Sequence, residues 1–487
     1  PQKDAGYDVS DYCDIDPIFG TLADFDSLLA TAHGLGLRVI ADMVPNHTSD
    51  QHVWFQEALA SPEGSPERDR YMFRAGKGPN GDVAPNNWES VFGGPMWHRV
   101  TRPDGTPGQW YLHIFDQSQP DLNWENPWVR EQFFDILRFW LDRGIDGFRV
   151  DVAHGMIKEA GLPDYTPPAE SASMGGEAAD PPYWGQPGVH EIWRGWHEVL
   201  AEYDGNRVLC AEAWVDPLEK VALWVRPDEM SQAFNFGYMF TEWDAPALRA
   251  VIDESLAAFG GVGAPSTWVL SNHDVVRHAS RLALTVENAQ GAGIGPDTAG
   301  KPDEKFGLRR ARAATSLMLA LPGSHYLYQG EELGLPEDME LPDSARQDPT
   351  WFRTNGEKYG RDGCRVPIPW EADKPAFGFN ASGKSWLPQP KDWGRFARDA
   401  QVGVAGSTLE LYTLALRLRR EFALAGGAVE WLEGYPKSVV ALRNGDLTVV
   451  SNIGRQAVEL PSGDVVLASG PVVDGLLPAD TTVWVRG

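Results

Sequence analysis

Three acidic residues in this chain each follow a short apolar run, and their types and spacing suit carboxylate chemistry. Gly147-Phe148-Arg149-Val150-Asp151 ends with an arginine and an aspartate two residues apart. Alternate residues of a strand share a face, so Arg149 and Asp151 should point one way and Val150 the other. A guanidinium beside a carboxylate favours its ionised form, which a nucleophile at neutral pH requires. Alone, such a pair reads as a buried ion pair at a strand end. Two further acids stand in the same kind of place: Glu212 after Arg207–Ala211, and Asp274 after Ser266–Ser271 through Asn272-His273. His47 follows a fourth apolar run, Leu37–Val44, through Pro45-Asn46. Singly, each acid is more often a cap or a solvated loop residue. On one face together they make a site for nucleophilic and acid–base catalysis.

The elements that must carry these residues alternate strand and helix. Helical spacing of Phe25, Leu28, Leu29 and Ala32 predicts a helix over 23–34, before the strand at 37–44. Residues 127–143 form a second helix, opened by Asn126-Pro127 and closed by Gly144, directly before the Asp151 strand. A helix near 189–203 precedes the Glu212 strand, and a helix at 243–259 precedes the Asp274 strand. Another strand is expected near 231–236, and a helix at 306–320 leads into one at 324–328. Continuously apolar strands suit a parallel sheet buried on both faces, open or closed. A closed β/α barrel fits better, because its chemistry sits on loops after several strands at once. Residues 48–118 are rich in Gly, Pro, Asn and Trp and too long for a plain connection, so they read as an inserted subdomain. Residues 159–188 are a second polar excursion. After an amphipathic helix at 407–421, short alternating runs from 426 onward predict a small antiparallel β domain. The expected domains are thus a barrel over 1–425 and a β domain over 426–487.

Composition limits the partners. A formal net charge of -27 opposes binding to nucleic acid or an anionic membrane and fits a neutral ligand. Three cysteines, far apart and odd in number, form no disulfide framework and no zinc spacing, which favours a reducing, cytoplasmic compartment. No run of about 18 apolar residues is present to span a membrane. Twenty tryptophans lean slightly toward carbohydrate, since indole faces serve as platforms for sugar rings and equally as core material. A monomer is expected.

Five motifs in order resemble the α-amylase family of glycoside hydrolases: Asp42-Met43-Val44-Pro45-Asn46-His47, Gln119-Pro120-Asp121-Leu122-Asn123, Gly147–Asp151, Glu212, and Ser271-Asn272-His273-Asp274. The Gln119–Asn123 motif has the form typical of the oligo-1,6-glucosidase and α-glucosidase branch. The resemblance implies Asp151 as nucleophile, Glu212 as general acid/base and Asp274 as transition-state stabiliser. It implies Arg149 beside the nucleophile, and His47 and His273 on hydroxyls of a terminal glucose. Asp4 and Tyr7 match a pair that grips and stacks on the same ring, and Phe115 and Gln119 would line the wall. Arg361 resembles an arginine reaching that subsite, with Arg365 as a rival match. Retaining members hold the two carboxyls about 5–5.5 Å apart so that a covalent glycosyl intermediate can form. Glu212 should therefore start protonated and Asp151 charged.

Compared with the family, the chain lacks the first two barrel strands, leaving about six of the eight of a (β/α)8 TIM barrel. The structural Ca/Mg site implied by the family would lie in that upstream part, and no cofactor is expected within residues 1–487. Val152, directly after the nucleophile position, fits an α-1,6 preference, whereas Ala153-His154-Gly155 and Val275-Val276 depart from the isomaltase pattern and leave α-1,4 open. The expected activity is exo-acting hydrolysis of short α-glucosides. Alternatives on the same scaffold are a transglucosylase, a sucrose- or trehalose-type isomerase, or a non-catalytic ancillary subunit of a transporter.

Overall fold

The computed structural model describes residues 1–102, 104–167, 181–286, 288 and 291–487, so the middle of the 159–188 excursion lies outside the described residues. Two compact units divide the chain. One comprises residues 1–234, 261–264 and 352–354, the other 235–260, 265–351 and 355–487.

The first unit is built on a parallel sheet of β1 (Ile40–Met43), β5 (Gly147–Val150), β6 (Val208–Ala211) and β7 (Gln232–Ala233), in that order. Register sets the neighbours of the site: Asp42 lies opposite Arg149, which lies opposite Cys210. The ladder runs one residue past each strand, with Asp151 N donating to Met43 O at 2.9 Å and Glu212 N to Val150 O at 3.0 Å. Both acids are therefore fixed by backbone hydrogen bonds at strand ends. Gly147 permits this pairing, since a Cβ there would lie 2.1 Å from Val208 O.

Helix α1 (Leu22–Gly34) is opened by a reciprocal cap between Thr21 and Asp24. Helix α3 (Pro127–Asp142) starts from an Asn126 side chain that accepts from Trp128 N, with Pro127 in the first turn. Its buried Val129, Phe133, Ile136, Leu137 and Trp140 form one stripe. Helix α4 (Val189–Ala201) buries Ile192, Trp193, Trp196 and Val199. Trp124, Phe133 and Trp196 stack between these helices, with ring centroids 4.9 and 6.0 Å apart, so much of the tryptophan content is core.

Between β1 and β5 the chain forms helix α2 (Val53–Ala60) and a three-stranded antiparallel sheet of β2 (Phe73–Arg74), β4 (Pro107–Leu112) and β3 (Trp97–Thr101). Met72, Trp88, Met96, Trp97, Leu112 and Ile114 give this region its own core, and Val152 and Trp184 pack into it.

The second unit contains parallel strands β8 (Thr267–Val269) and β9 (Ser324–Tyr326), with helices α5 (Ala245–Gly261), α6 (Glu304–Met318) and α7 (Thr408–Glu421). Toward its C-terminus lies the antiparallel sheet expected from the alternating runs. Its order is β10 (Glu430–Trp431), β11 (Val439–Asn444), β12 (Leu447–Asn452), β16 (Thr481–Arg486), β14 (Asp464–Ala468), with β13 (Val458–Glu459) paired to β15 (Leu476–Leu477). The sheet is tied to α6 by Trp484 Nε1 donating to Ser316 O at 2.8 Å and Thr482 Oγ1 to Ala313 O at 2.9 Å. No helix among the described residues is long and apolar enough to cross a membrane.

Candidate active site

In the first unit, β5 presents Arg149 and Asp151 on one face, as their spacing requires. Arg149 Nη1 donates to Asp151 Oδ1 at 2.5 Å and to Asp42 Oδ1 at 2.8 Å. Its Nη2 lies 3.6 Å from Glu212 Oε2. Asp151 and Glu212 are both buried, at 7% and 5% exposure. Glu212 accepts from the Val152 backbone N–H at 2.7 Å and from the indole Nε1 of Trp214. Val152 adopts a left-handed backbone, φ 48°, which is rare for a β-branched residue.

The electrostatics differ from the simple expectation that Arg149 keeps Asp151 ionised. Burial pushes the Asp151 carboxyl well above the usual carboxylate range, against the pull of Arg149, and Glu212 and Asp42 push it further up. One guanidinium faces three carboxylates, so its charge is divided. Two carboxyls this close and this buried disfavour both being charged at once, so Glu212 is among the groups that raise Asp151. Arg149 stabilises the charged form of Asp151, and the two N–H donors on Glu212 stabilise the charged form of Glu212.

Around this pair, Tyr7 hydroxyl donates to Asp42 Oδ2 at 3.1 Å, and the Arg149 guanidinium sits 5.5 Å from the Tyr7 ring centre. Asp4 and Tyr7 share a tight turn through Ala5 and Gly6, both at positive φ, closed by Tyr7 N donating to Asp4 O at 2.9 Å. Gln119 Nε2 donates to Asp4 Oδ2 at 3.1 Å. His47 is 1% exposed. Its Nδ1 lies 3.2 Å from the Asn46 amide nitrogen, and its Nε2 lies 2.9 Å from Tyr7 O and 3.1 Å from the Gln119 amide nitrogen. Burial lowers its pKa, keeping the ring neutral. The Phe115 ring centre lies 5.3 Å from that of His47. Asp4, Tyr7, His47, Phe115, Gln119, Arg149, Asp151 and Glu212 thus belong to one connected group. Beneath it, Lys158 is fully buried, with Nζ 2.8 Å from Asp121 Oδ2 and 3.1 Å from Asn46 Oδ1.

In the second unit, Asp274 follows β8. Its Oδ1 accepts from Arg361 Nη1 and Arg365 Nη2, both at 3.0 Å, so both rival arginines reach it. His273 Nε2 lies 3.4 Å from the other oxygen. Asp348 in turn holds Arg361, accepting from its backbone N at 2.7 Å and its Nε at 2.6 Å. A small cleft is lined by Asp274, Val275, Val276, Arg281, Glu337 and Arg361. Among the described residues no group of three or more His, Cys, Asp or Glu side chains is placed to hold a metal ion.

Asp42, Trp214, Lys158 and Asp348 escaped the sequence reading. Trp214 carried a usable signal, the two-residue spacing from Glu212 just after a strand. Asp42 lies inside a quoted motif, but only strand register shows that it opposes Arg149.

Two buried carboxyls sharing an arginine at the ends of adjacent parallel strands are the equipment of a glycoside-hydrolysing α/β enzyme. The sequence profile of the α-amylase catalytic domain matches residues 1–427, and the chain belongs to that family and is a glycoside hydrolase. It is 37% identical to a probable α-glucosidase of Rhizobium meliloti (strain 1021) over 89% of this chain and 76% of that protein. It is 33% identical to an oligo-1,6-glucosidase of Parageobacillus thermoglucosidasius over 86% of this chain and 74% of that protein. The crystal structure of an α-glucosyl transfer enzyme, XgtA, superposes with TM-score 0.83 at 33% identity, covering 100% of this chain and 90% of that one. Family membership implies a (β/α)8 barrel followed by a C-terminal antiparallel β domain, and the latter sheet is present.

Proposed function

We propose that this protein is a retaining, exo-acting α-glucosidase that cleaves terminal α-1,4 or α-1,6 glucosidic bonds of short oligosaccharides. In this reading residues 1–425 make the catalytic barrel, with 48–118 inserted after its third strand, and 426–487 the closing β domain. The observation that carries the reading is the buried pair Asp151 and Glu212, the first held by Arg149 and the second by the Val152 amide and the Trp214 indole, with Arg149 facing both.

Asp151 attacks the anomeric carbon while Glu212 protonates the departing glycosidic oxygen. Glu212 then takes a proton from water, which attacks the glucosyl ester and returns the α-anomer. Arg149 disperses negative charge on Asp151 before attack. Asp274, its charge set by Arg361 and Arg365, stabilises the distorted sugar. Asp4, Tyr7, His47 and His273 hold the glucose, and Phe115 and Gln119 wall the pocket. Likeness to a probable α-glucosidase and to an oligo-1,6-glucosidase supports hydrolysis of glucosides, in the second case 1,6-linked.

Proton NMR of the first product decides the stereochemistry: α-glucose is expected from maltose or isomaltose, and β-glucose would exclude retention. Asp151→Asn should lower kcat/KM by about 10⁴-fold or more with folding retained. Near-normal turnover of that variant would end the assignment. The likeness to an α-glucosyl transfer enzyme favours transglucosylation as the second reading. Glucosyl oligosaccharides accumulating at high sugar concentration would establish it, and free glucose alone would remove it.

A further inference from the structure

We infer that Trp214 is a positioning residue whose indole N–H holds the Glu212 carboxylate and sets the pH at which that acid loses its proton. The inference rests on the reading of Glu212 as the acid/base. Glu212 and Trp214 follow β6 two residues apart, and their side chains meet. The indole Nε1 donates to Oε1 of Glu212, and the Val152 amide donates to Oε2. With both oxygens engaged, the carboxylate plane is fixed, and each donor stabilises its charged form.

An acid catalyst needs the opposite charge state, which gives the contact a functional consequence. Ionisable groups around the pair include Arg149 on β5, Asp42 on β1, which reaches it through Arg149, and the hydroxyls of Tyr7 and Tyr12. His154 lies close behind and is buried and uncharged. Bond cleavage needs Glu212 protonated and Asp151 charged. Arg149 stabilises the charged Asp151, whereas Trp214 and Val152 stabilise the charged Glu212. A leaving-group oxygen arriving at Oε1 competes for the place of the indole N–H, so binding itself favours the protonated acid.

The alkaline limb of kcat/KM reports loss of the proton from Glu212 in the free enzyme. Deleting the indole N–H removes a hydrogen bond to the charged acid. The alkaline limb should therefore move up by about one pH unit, the size of one charge-assisted hydrogen bond. Two variants separate the N–H from the ring: Trp214→Phe, and benzothienylalanine at 214, which keeps the indole shape with sulfur in place of N–H. An upward shift in both supports the proposal. An unmoved limb in the sulfur isostere overturns it, whatever Trp214→Phe does, because packing alone would then account for the residue. The acid/base reading is checked separately: Glu212→Ala with azide should yield α-glucosyl azide, and its failure to form would remove Glu212 from that role independently of the Trp214 result.

Discussion

The backbone N–H of Val152 donates to Oε2 of Glu212 at 2.7 Å from a left-handed conformation, φ 48°. Such a conformation costs about 1–3 kcal/mol for a residue of this type and persists only where its surroundings over-determine it. Here the Val152 side chain is locked into the core of Met96, Leu112, Ile114 and Trp184. One residue thus links the packing of the inserted region to the orientation of a candidate catalytic acid.

Val152→Thr tests whether this residue sets linkage preference. The substitution keeps the shape and the backbone amide but replaces one methyl by a hydroxyl. The ratio of kcat/KM for isomaltose to that for maltose should fall roughly 10-fold, a size reachable by small changes in an apolar wall. An unchanged ratio would detach Val152 from linkage choice.

Arg149→Met leaves Asp42, Asp151 and Glu212 without their shared guanidinium. Burial already raises the Asp151 carboxyl, and Arg149 is the group opposing that rise. Attack requires ionised Asp151, so the acid limb of kcat/KM should move to higher pH by about 1–3 units. A pH–rate profile superimposable on that of the parent would contradict the assignment.

Lys158→Met should cost about 3–5 kcal/mol of stability, because it strands the Asp121 carboxylate in the core. Lys158→Met combined with Asp121→Asn should recover part of that loss. Thermal unfolding of the two single variants and the double variant measures the coupling, and strict additivity would show that the pair is energetically unimportant.

Asp348 gives a stability effect in acid. Burial raises its carboxyl, but Arg361 and Arg365 outweigh that and hold it down to about 2, against an ordinary 3.8. A depressed value means the stabilisation is complete above about pH 4 and is lost as pH falls toward 2, roughly 2 kcal/mol in all. Asp348→Asn should therefore be less stable at pH 6 and show a flatter decline between pH 4 and 2. Urea unfolding at pH 6 and 3 checks this, and parallel declines in the two proteins would refute it.

Much of the local architecture was readable in the amino-acid order. Asn126-Pro127 and the stripe of Val129, Phe133 and Ile136 define α3 because capping and helical period are short-range properties. The apolar run ending at Arg149-Val150-Asp151 puts both charged groups on one face because strand alternation needs no partner. The turn of β-rich texture after 426 likewise announced the C-terminal sheet.

What only the tertiary structure decided is who meets whom and what charge results. Asp42 reaches Arg149 because β1 and β5 pair in one register out of several, over a separation of more than a hundred residues. Lys158 finds Asp121 and Asn46 only once the inserted region folds back on the strand ends. The state of Asp151 depends on how much water is excluded and on how one guanidinium is divided among three carboxylates. Alternation and periodicity act over a few residues and so survive in the linear order, whereas register, burial and shared charge are sums over distant groups and exist only in the folded chain.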